Sequence, residues 1–383
     1  MTDRHSLFST VALGYVLRGS ALSLALVLVA CPPPRSDDDD ASIAILGGGS
    51  HSTEGLTLTE VATGSESLNT PRDIAFHPDN PSDLYVVNYG ADGVTIIEDA
   101  DGDDAEATFF GAMGASHFLA SPSGLAFGKD GFFATIHETD EYTQGPPPAG
   151  SPQDFMGPSL WDSNPNTFDG GHSGHFDMLH NTPNGMGIAW EKDHVYWVFD
   201  GYHSSITRYD FGQHHGAGGT DHGDGIVARY VEGEVDRKAE VSSHMEYDPD
   251  TELLYIADTG NKRIAVLDTT TGTDGGTISP NYDSAPGNQY EVLDADLTTL
   301  VDGEEHNMTR PSGLALRDGV VYVSDNKRAN IMAYDMVTGD LIDFLALELE
   351  EGALMGITFD ESGNLWFTDA VDDRIVRISV PEE

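Results

Sequence analysis

Asp258-Thr259-Gly260-Asn261-Lys262-Arg263-Ile264-Ala265-Val266-Leu267-Asp268 reads as the end of one strand, a polar turn, and a second strand. Upstream, Tyr255-Ile256-Ala257 supplies the apolar body of the first of these, and Ser242-Ser243-His244-Met245-Glu246-Tyr247 reads as another short strand before it. Asp369 to Ile378 and Asp325 to Tyr334 repeat the turn-and-strand unit more loosely. Recurrence of one supersecondary unit decides architecture before any local propensity does.

Working outward, the pair of strands that precedes this turn occurs six times. The copies begin at Pro71-Arg72-Asp73-Ile74-Ala75-Phe76, Pro122-Ser123-Gly124-Leu125-Ala126-Phe127, Gly185-Met186-Gly187-Ile188-Ala189-Trp190, Ser242–Tyr247, Pro311-Ser312-Gly313-Leu314-Ala315-Leu316 and Leu354-Met355-Gly356-Ile357-Thr358-Phe359. Each is followed by a second apolar strand, ending in turn at Asn88, His137, Asp200, Asp258, Asp325 and Asp369. Such runs suit blades packed on both faces by neighbours. Gly in the first strand permits close backbone approach around a narrow channel. Fourth strands are expected at 106–110, 226–230, 290–293 and 341–345, and three connections, about residues 138–182, 211–225 and 269–288, are too long to be turns. The sixth copy has none before the chain stops, so Leu56-Thr57-Leu58-Thr59-Glu60-Val61 is expected to complete it and close the ring. The fold class is therefore all-β, a six-bladed β-propeller over residues 55–383 with an N-terminal strand closing the last blade.

The Asp258–Asp268 stretch resembles the NHL signature. Tyr196-Trp197-Val198-Phe199-Asp200 is similar to YWTD propellers, and Leu365-Trp366-Phe367-Thr368-Asp369 to streptogramin lyase propellers. The likeness covers roughly residues 55–380. It implies the propeller, and leaves function open because one fold hosts many.

The first residues have a different character. Arg4 and Arg18 precede an apolar run, Ala21 to Ala30, shorter than the roughly 20 residues a membrane span needs and matching the core of a secretory signal. Leu28-Val29-Ala30-Cys31 resembles the bacterial lipobox. The resemblance implies cleavage of residues 1–30, lipid on Cys31, and anchoring by several acyl chains. Pro32-Pro33-Pro34 and Asp37–Asp40 follow, so residues 31–54 read as a disordered tether. The expected location is the cell envelope, lipid-anchored at the outer membrane, periplasmic or at the cell surface, with the lipid bilayer as a partner. Cys31 is the single cysteine, so no internal disulfide forms.

The 65 Asp and Glu against 18 Lys and Arg give a net charge of −47, which excludes nucleic acid as a partner and favours cations. Such a surface fits a source adapted to salty water. No Gly-rich phosphate loop, HExxH or G-x-S-x-G is present, so kinase, zincin and α/β-hydrolase readings have no support.

Departures from the repeat mark candidate sites. The first-strand column runs Asp73, Gly124, Gly187, His244, Gly313, Gly356, and the second-strand column carries His137 among turn-capping acids. Both columns are expected at one rim of the channel. Nine of the 15 His fall between His172 and His244. Neutral imidazole ligates zinc and related metals. Asp200-Gly201-Tyr202 resembles the Asp-Gly-Tyr of peptidyl-hydroxyglycine amidating lyases, a resemblance that implies Tyr202 as a base and zinc held by His at the channel mouth. This chain departs from that family: no repeat has its Pro-His-Ser start, and Ser205 stands where an Arg is usual. The metal candidates are His137, His180, His203 and His244, with Tyr202 or Asp73 as catalytic base. Asp99, Asp101 and Asp103, alternating around Gly102, suit calcium's oxygen preference, although no distal Glu follows. Two function classes stand: an envelope-anchored propeller binding a protein or small-molecule partner at its loop-bearing rim, and a zinc- or calcium-dependent lyase or hydrolase at the mouth.

Overall fold

The computed structural model describes residues 42–102, 104–112, 116–140, 155–279, 283 and 288–381. Cys31, residues 1–30 expected to form a signal segment, and Asp103 lie outside the described residues. A first strand, β1 (Thr57–Ala62), precedes blade one, formed by β2 (Pro71–His77), β3 (Asn80–Asn88), β4 (Gly93–Glu98) and β5 (Glu106–Gly111). Blade two is β6 (Pro122–Phe127), β7 (Phe132–His137), β8 (Ser159–Asp162) and β9 (His175–Met178). Blade three is β10 (Gly185–Lys192), β11 (Val195–Asp200), β12 (Ser205–Asp210) and β13 (Ile226–Tyr230). Blade four starts with β14 (Met245–Asp248), β15 (Leu253–Asp258) and β16 (Arg263–Asp268). Then come β17 (Thr273–Thr277), β18 (Gln289–Leu293) and β19 (Leu297–Asp302). Blade five is β20 (Pro311–Arg317), β21 (Val320–Asp325), β22 (Asn330–Asp335) and β23 (Leu341–Ala346). Blade six is β24 (Leu354–Phe359), β25 (Leu365–Asp369), β26 (Arg374–Ser379) and the returning β1.

The closure expected from the sequence is present. β1 pairs antiparallel with β26, Thr57 opposite Ser379 and Leu58 opposite Ile378. The ring is thereby joined by backbone hydrogen bonds rather than left as two open edges.

Period-2 alternation explains how each blade is packed on both faces. In β15, Leu254 and Ile256 join a cluster with Trp197 and Phe199 of blade three, whereas Tyr255 and Ala257 face Val321 and Val323 of blade five. Every seam between neighbouring blades has such a cluster, including Trp366 of blade six against Ile74 and Val86 of blade one. A fully buried Ile or Leu contributes about 1.5–3 kcal/mol, so the seams hold the ring without cross-links.

Three expectations are corrected. Residues 290–293 do not end blade four. β18 runs parallel to β13 and extends blade three, with β17 outside it, and β19 completes blade four. The connection 138–182 is not simply a loop, because β8 and β9 are the outer strands of blade two. The ordered domain also begins well before residue 55. Ile45 and Leu46 are buried in the seam of blades five and six, and Asp343 accepts hydrogen bonds from the backbone N–H of Ile43 (2.8 Å) and Gly49 (3.2 Å). The apolar run Ile43-Ala44-Ile45-Leu46 finds a groove that the neighbouring charged composition does not announce.

Candidate functional site

The first-strand column forms a waist in the channel. A Cβ on Gly187 would lie 2.0 Å from the Ser243 carbonyl oxygen, one on Gly313 2.2 Å from that of Met355, and one on Gly356 2.9 Å from that of Arg72. The inner strands thus meet backbone to backbone, and only Gly fits at these positions. Asp73 and His244 are the two exceptions, on blades one and four, which stand opposite each other in the ring. Their side chains meet: His244 Nδ1 is 3.3 Å from Asp73 Oδ1, a contact that requires one shared proton. His244 Nε2 lies 3.3 Å from the Ser123 carbonyl oxygen. The Asp73 carboxylate also accepts from the backbone N–H of Ile74 (2.9 Å) and of Leu125 (3.0 Å).

This pair is the floor of a cavity of about 460 Å³ in which all six inner strands take part. Ile74, Leu125, Ile188, Leu314 and Ile357 supply apolar walls. Trp190, Glu191 and Tyr247 line it too, near the ends of their strands, so it opens where the first strands finish. Among the described residues its ionisable lining is Asp73, Glu191, His244 and Glu246, with no Lys or Arg. Burial, and then the charge of Asp73, push the Glu246 carboxyl up to about 8. Burial also raises Asp73, against the opposing pull of His244. Glu191 differs: burial works to raise it, but Arg208, at 2.6 and 2.9 Å, brings it below the ordinary range. Apolar walls with a few convergent polar groups and perturbed acids describe a ligand site.

The opposite end of the channel, where the first strands begin, was expected to be the mouth. It carries a buried ion-pair network instead. Arg72, 1% exposed, donates to Glu138 (2.9 Å), and Arg237 donates to the other Glu138 oxygen (3.0 Å). The backbone N–H of Glu240 donates to the same carboxylate (2.8 Å), and the Arg72 guanidinium lies 3.8 Å above the Tyr89 ring.

The expected metal ligands are dispersed. His137 is fully buried, 3.1 Å from both Thr135 Oγ1 and the Gly157 carbonyl oxygen, so neither ring nitrogen is free, and burial pushes it down to about 3. His180 pairs with Asp283 and stacks on Phe155 (3.9 Å). His203 Nδ1 is 2.7 Å from Asp200, whose other oxygen caps the turn by accepting the backbone N–H groups of Tyr202 and His203. His244 is on the channel floor. No three of these four bring ligand atoms within 4.8 Å of one another; among the described residues, the group that does is Asp177, His215 and His222. Tyr202 is half-exposed, edge-on to His203, and does not line the cavity that Asp73 floors. Asp99 and Asp101 lie on an exposed turn after β4, with Gly102 N–H donating to the Asp99 carbonyl (2.9 Å).

Glu246 was missed, yet its signal is in the repeat. Two residues beyond the waist column, the copies read Ala75, Ala126, Ala189, Glu246, Ala315 and Thr358. Small residues there leave room, and one acid projects into it.

No family model matches the chain, and no curated protein matches it in sequence. Solved structures similar to it include a streptogramin B lyase (TM-score 0.50, 12% identity, 85% of this chain and 98% of that one). A luciferin-regenerating enzyme (TM-score 0.51, 12% identity, 85% and 95%) and an auxiliary nutrient-binding protein from Bacteroides ovatus (0.50, 12%, 86% and 77%) are also similar. At such identity the likeness establishes the six-bladed fold.

Proposed function

We propose that the chain is a lipid-anchored binding protein of the cell envelope whose channel cavity captures a small organic cation with an apolar body. The observation that carries this reading is the cavity's composition. Two acids with raised pKa, Asp73 and Glu246, sit among apolar walls with no Lys or Arg among the described lining residues. An ionised acid in such surroundings lacks a counter-charge, and a bound cation would provide one. The surplus of 47 negative charges would raise the local concentration of cations. The likeness to an auxiliary nutrient-binding protein is in keeping with capture. A panel of organic amines and their neutral isosteres, compared by thermal shift at pH 7 and 9, tests the idea. Amines should stabilise the protein, more at pH 9 than at pH 7 because Glu246 gives up its proton near 8, by roughly up to tenfold in affinity. Neutral isosteres that bind as well, or amines that bind Glu246→Gln unchanged, would sink the cation reading.

The anchor rests on Leu28-Val29-Ala30-Cys31. Expressed in a diderm bacterium, the chain should take up a fatty-acid probe and partition into detergent. Cys31→Ser should abolish both; equal labelling of that variant would refute lipidation.

A further inference from the structure

A second cluster lies away from the channel, at the outer edge of blade two. β9 would end that blade as an unpaired strand, but the connection after β12 lies against it. The backbone N–H of His215 donates to the Phe176 carbonyl (3.2 Å) and that of Gly218 to the His175 carbonyl (2.8 Å). This brings His215 and His222, far apart from β9 in sequence, onto Asp177. One ligand atom from each of Asp177, His215 and His222 lies within 4.8 Å of the others.

The hydrogen bonding around these residues is unbalanced in an informative way. Asp177 is fully buried; one oxygen accepts from Met178 N–H (2.8 Å) and meets His222 Nδ1 (2.7 Å), while Oδ2 has no partner among the described residues. His215 Nδ1 is 2.6 Å from the Gly216 carbonyl oxygen, which can only accept, so the ring proton sits on Nδ1. His215 Nε2 therefore presents a lone pair, and it is buried without a partner among the described residues. Two buried acceptors with no donor in one small group are costly, and a cation would satisfy both. A carbonyl holding the far nitrogen of an imidazole is also how metal-ligating His are oriented.

The geometry points to a metal-binding site made of Asp177, His215 and His222, suited to zinc or a divalent ion of similar preference. Two imidazoles and one carboxylate form a three-ligand set that leaves a fourth position open. His222 also lines a cavity of about 230 Å³ with His117, His172 and Phe155, from which solvent or a small ligand would reach that position. This inference is independent of the channel cavity and of the cation proposed to occupy it.

The test uses the full chain without a polyhistidine tag, stripped by chelator and titrated with zinc against a chromogenic competitor. One zinc per chain is expected. His215→Ala/His222→Ala should weaken that site by roughly 100-fold or more, and Asp177→Asn by roughly 10-fold or more. The two histidines are only partly buried on a connection, so their removal should leave the near-ultraviolet dichroism unchanged. Cobalt(II) in the same site should give the visible band of a four-coordinate ion, absent in the double variant. Glu246→Gln should bind zinc as the parent does. A parent that binds no zinc, or a folded double variant with parental affinity, would overturn the proposal.

Discussion

The two ends of the channel bury carboxylates in opposite ways. Where the first strands begin, Glu138 is held between Arg72 and Arg237, and each of its oxygens meets a guanidinium. Where they finish, Asp73 and Glu246 line a cavity with His244 and the Arg208-paired Glu191, and no Lys or Arg among the described residues lines it. The compensated acid ties segments of different blades together and leaves nothing for a ligand to satisfy. The uncompensated acids cost stability and keep a preference for an incoming positive charge. Buried charge is therefore no mark of a binding site by itself; what matters is whether its partner is built in.

The largest effect is expected at the compensated end. Among the described residues, Glu138→Ala would leave Arg72, 1% exposed, with the Tyr89 face as its remaining charge-stabilising contact. Breaking a buried pair in this way costs about 3–5 kcal/mol, read as a lowered urea midpoint. A loss below about 1 kcal/mol would mean that this end is solvated like ordinary surface and that the contrast between the ends is wrong. Next comes the waist that separates them. Gly187→Ala would drive a Cβ to 2.0 Å from the Ser243 carbonyl oxygen and 3.0 Å from His244 Cα, so blades three and four must part. A cost of about 2–3 kcal/mol is expected, with weaker ligand binding because His244 shifts from Asp73. Gly276→Ala, with no atom of the described residues within 4 Å of the added carbon, should stay within about 0.5 kcal/mol of the parent and serves as the control.

Much of this was legible in the repeat, and the part that was not has physical reasons. The missing fourth strand of blade six announced the closure by β1, because an unpaired edge demands a partner. Asp73 and His244 stood out as the non-glycine members of a column that only glycine suits. The direction of the opening was misread because His137, the one imidazole among the strand-end acids, and His244 were both placed at a mouth where the first strands begin. The acids of that column, such as Asp258 and Asp369, cap turns as expected and also meet Arg263 and Arg374, so they line no mouth. Tyr290–Leu293 looked like the better outer strand of blade four because its apolar run is denser than Leu297–Val301. Which sheet edge a half-exposed strand joins is set by distant pairing, not by its own pattern. The Asp177 cluster depends on one connection folding back onto β9, and no spacing between Asp177, His215 and His222 encodes that contact.

The smallest predicted effect apart from that control probes the uncompensated end directly. Glu246 ionises near 8 in the folded protein, against an ordinary value of 4.5 for the unfolded chain. Below 4.5 both states hold the proton, and the group is neutral in its effect. Between 4.5 and 8 the unfolded chain gives up its proton while the folded protein keeps it, so stability drains away as pH rises; above 8 the loss is complete. Glu246→Gln removes this linkage while keeping the shape of the side chain. Measured by urea titration without ligand, the variant should match the parent near pH 4 and exceed it by about 1–2 kcal/mol at pH 9, a modest figure because Glu246 is partly open to the cavity. Glu138→Gln should show the opposite balance, destabilising at neutral pH because it removes the charge that two guanidinium groups meet. If Glu246→Gln gave no gain at high pH, a cation already belonging to the protein must face that carboxylate, and the two ends of the channel would be alike.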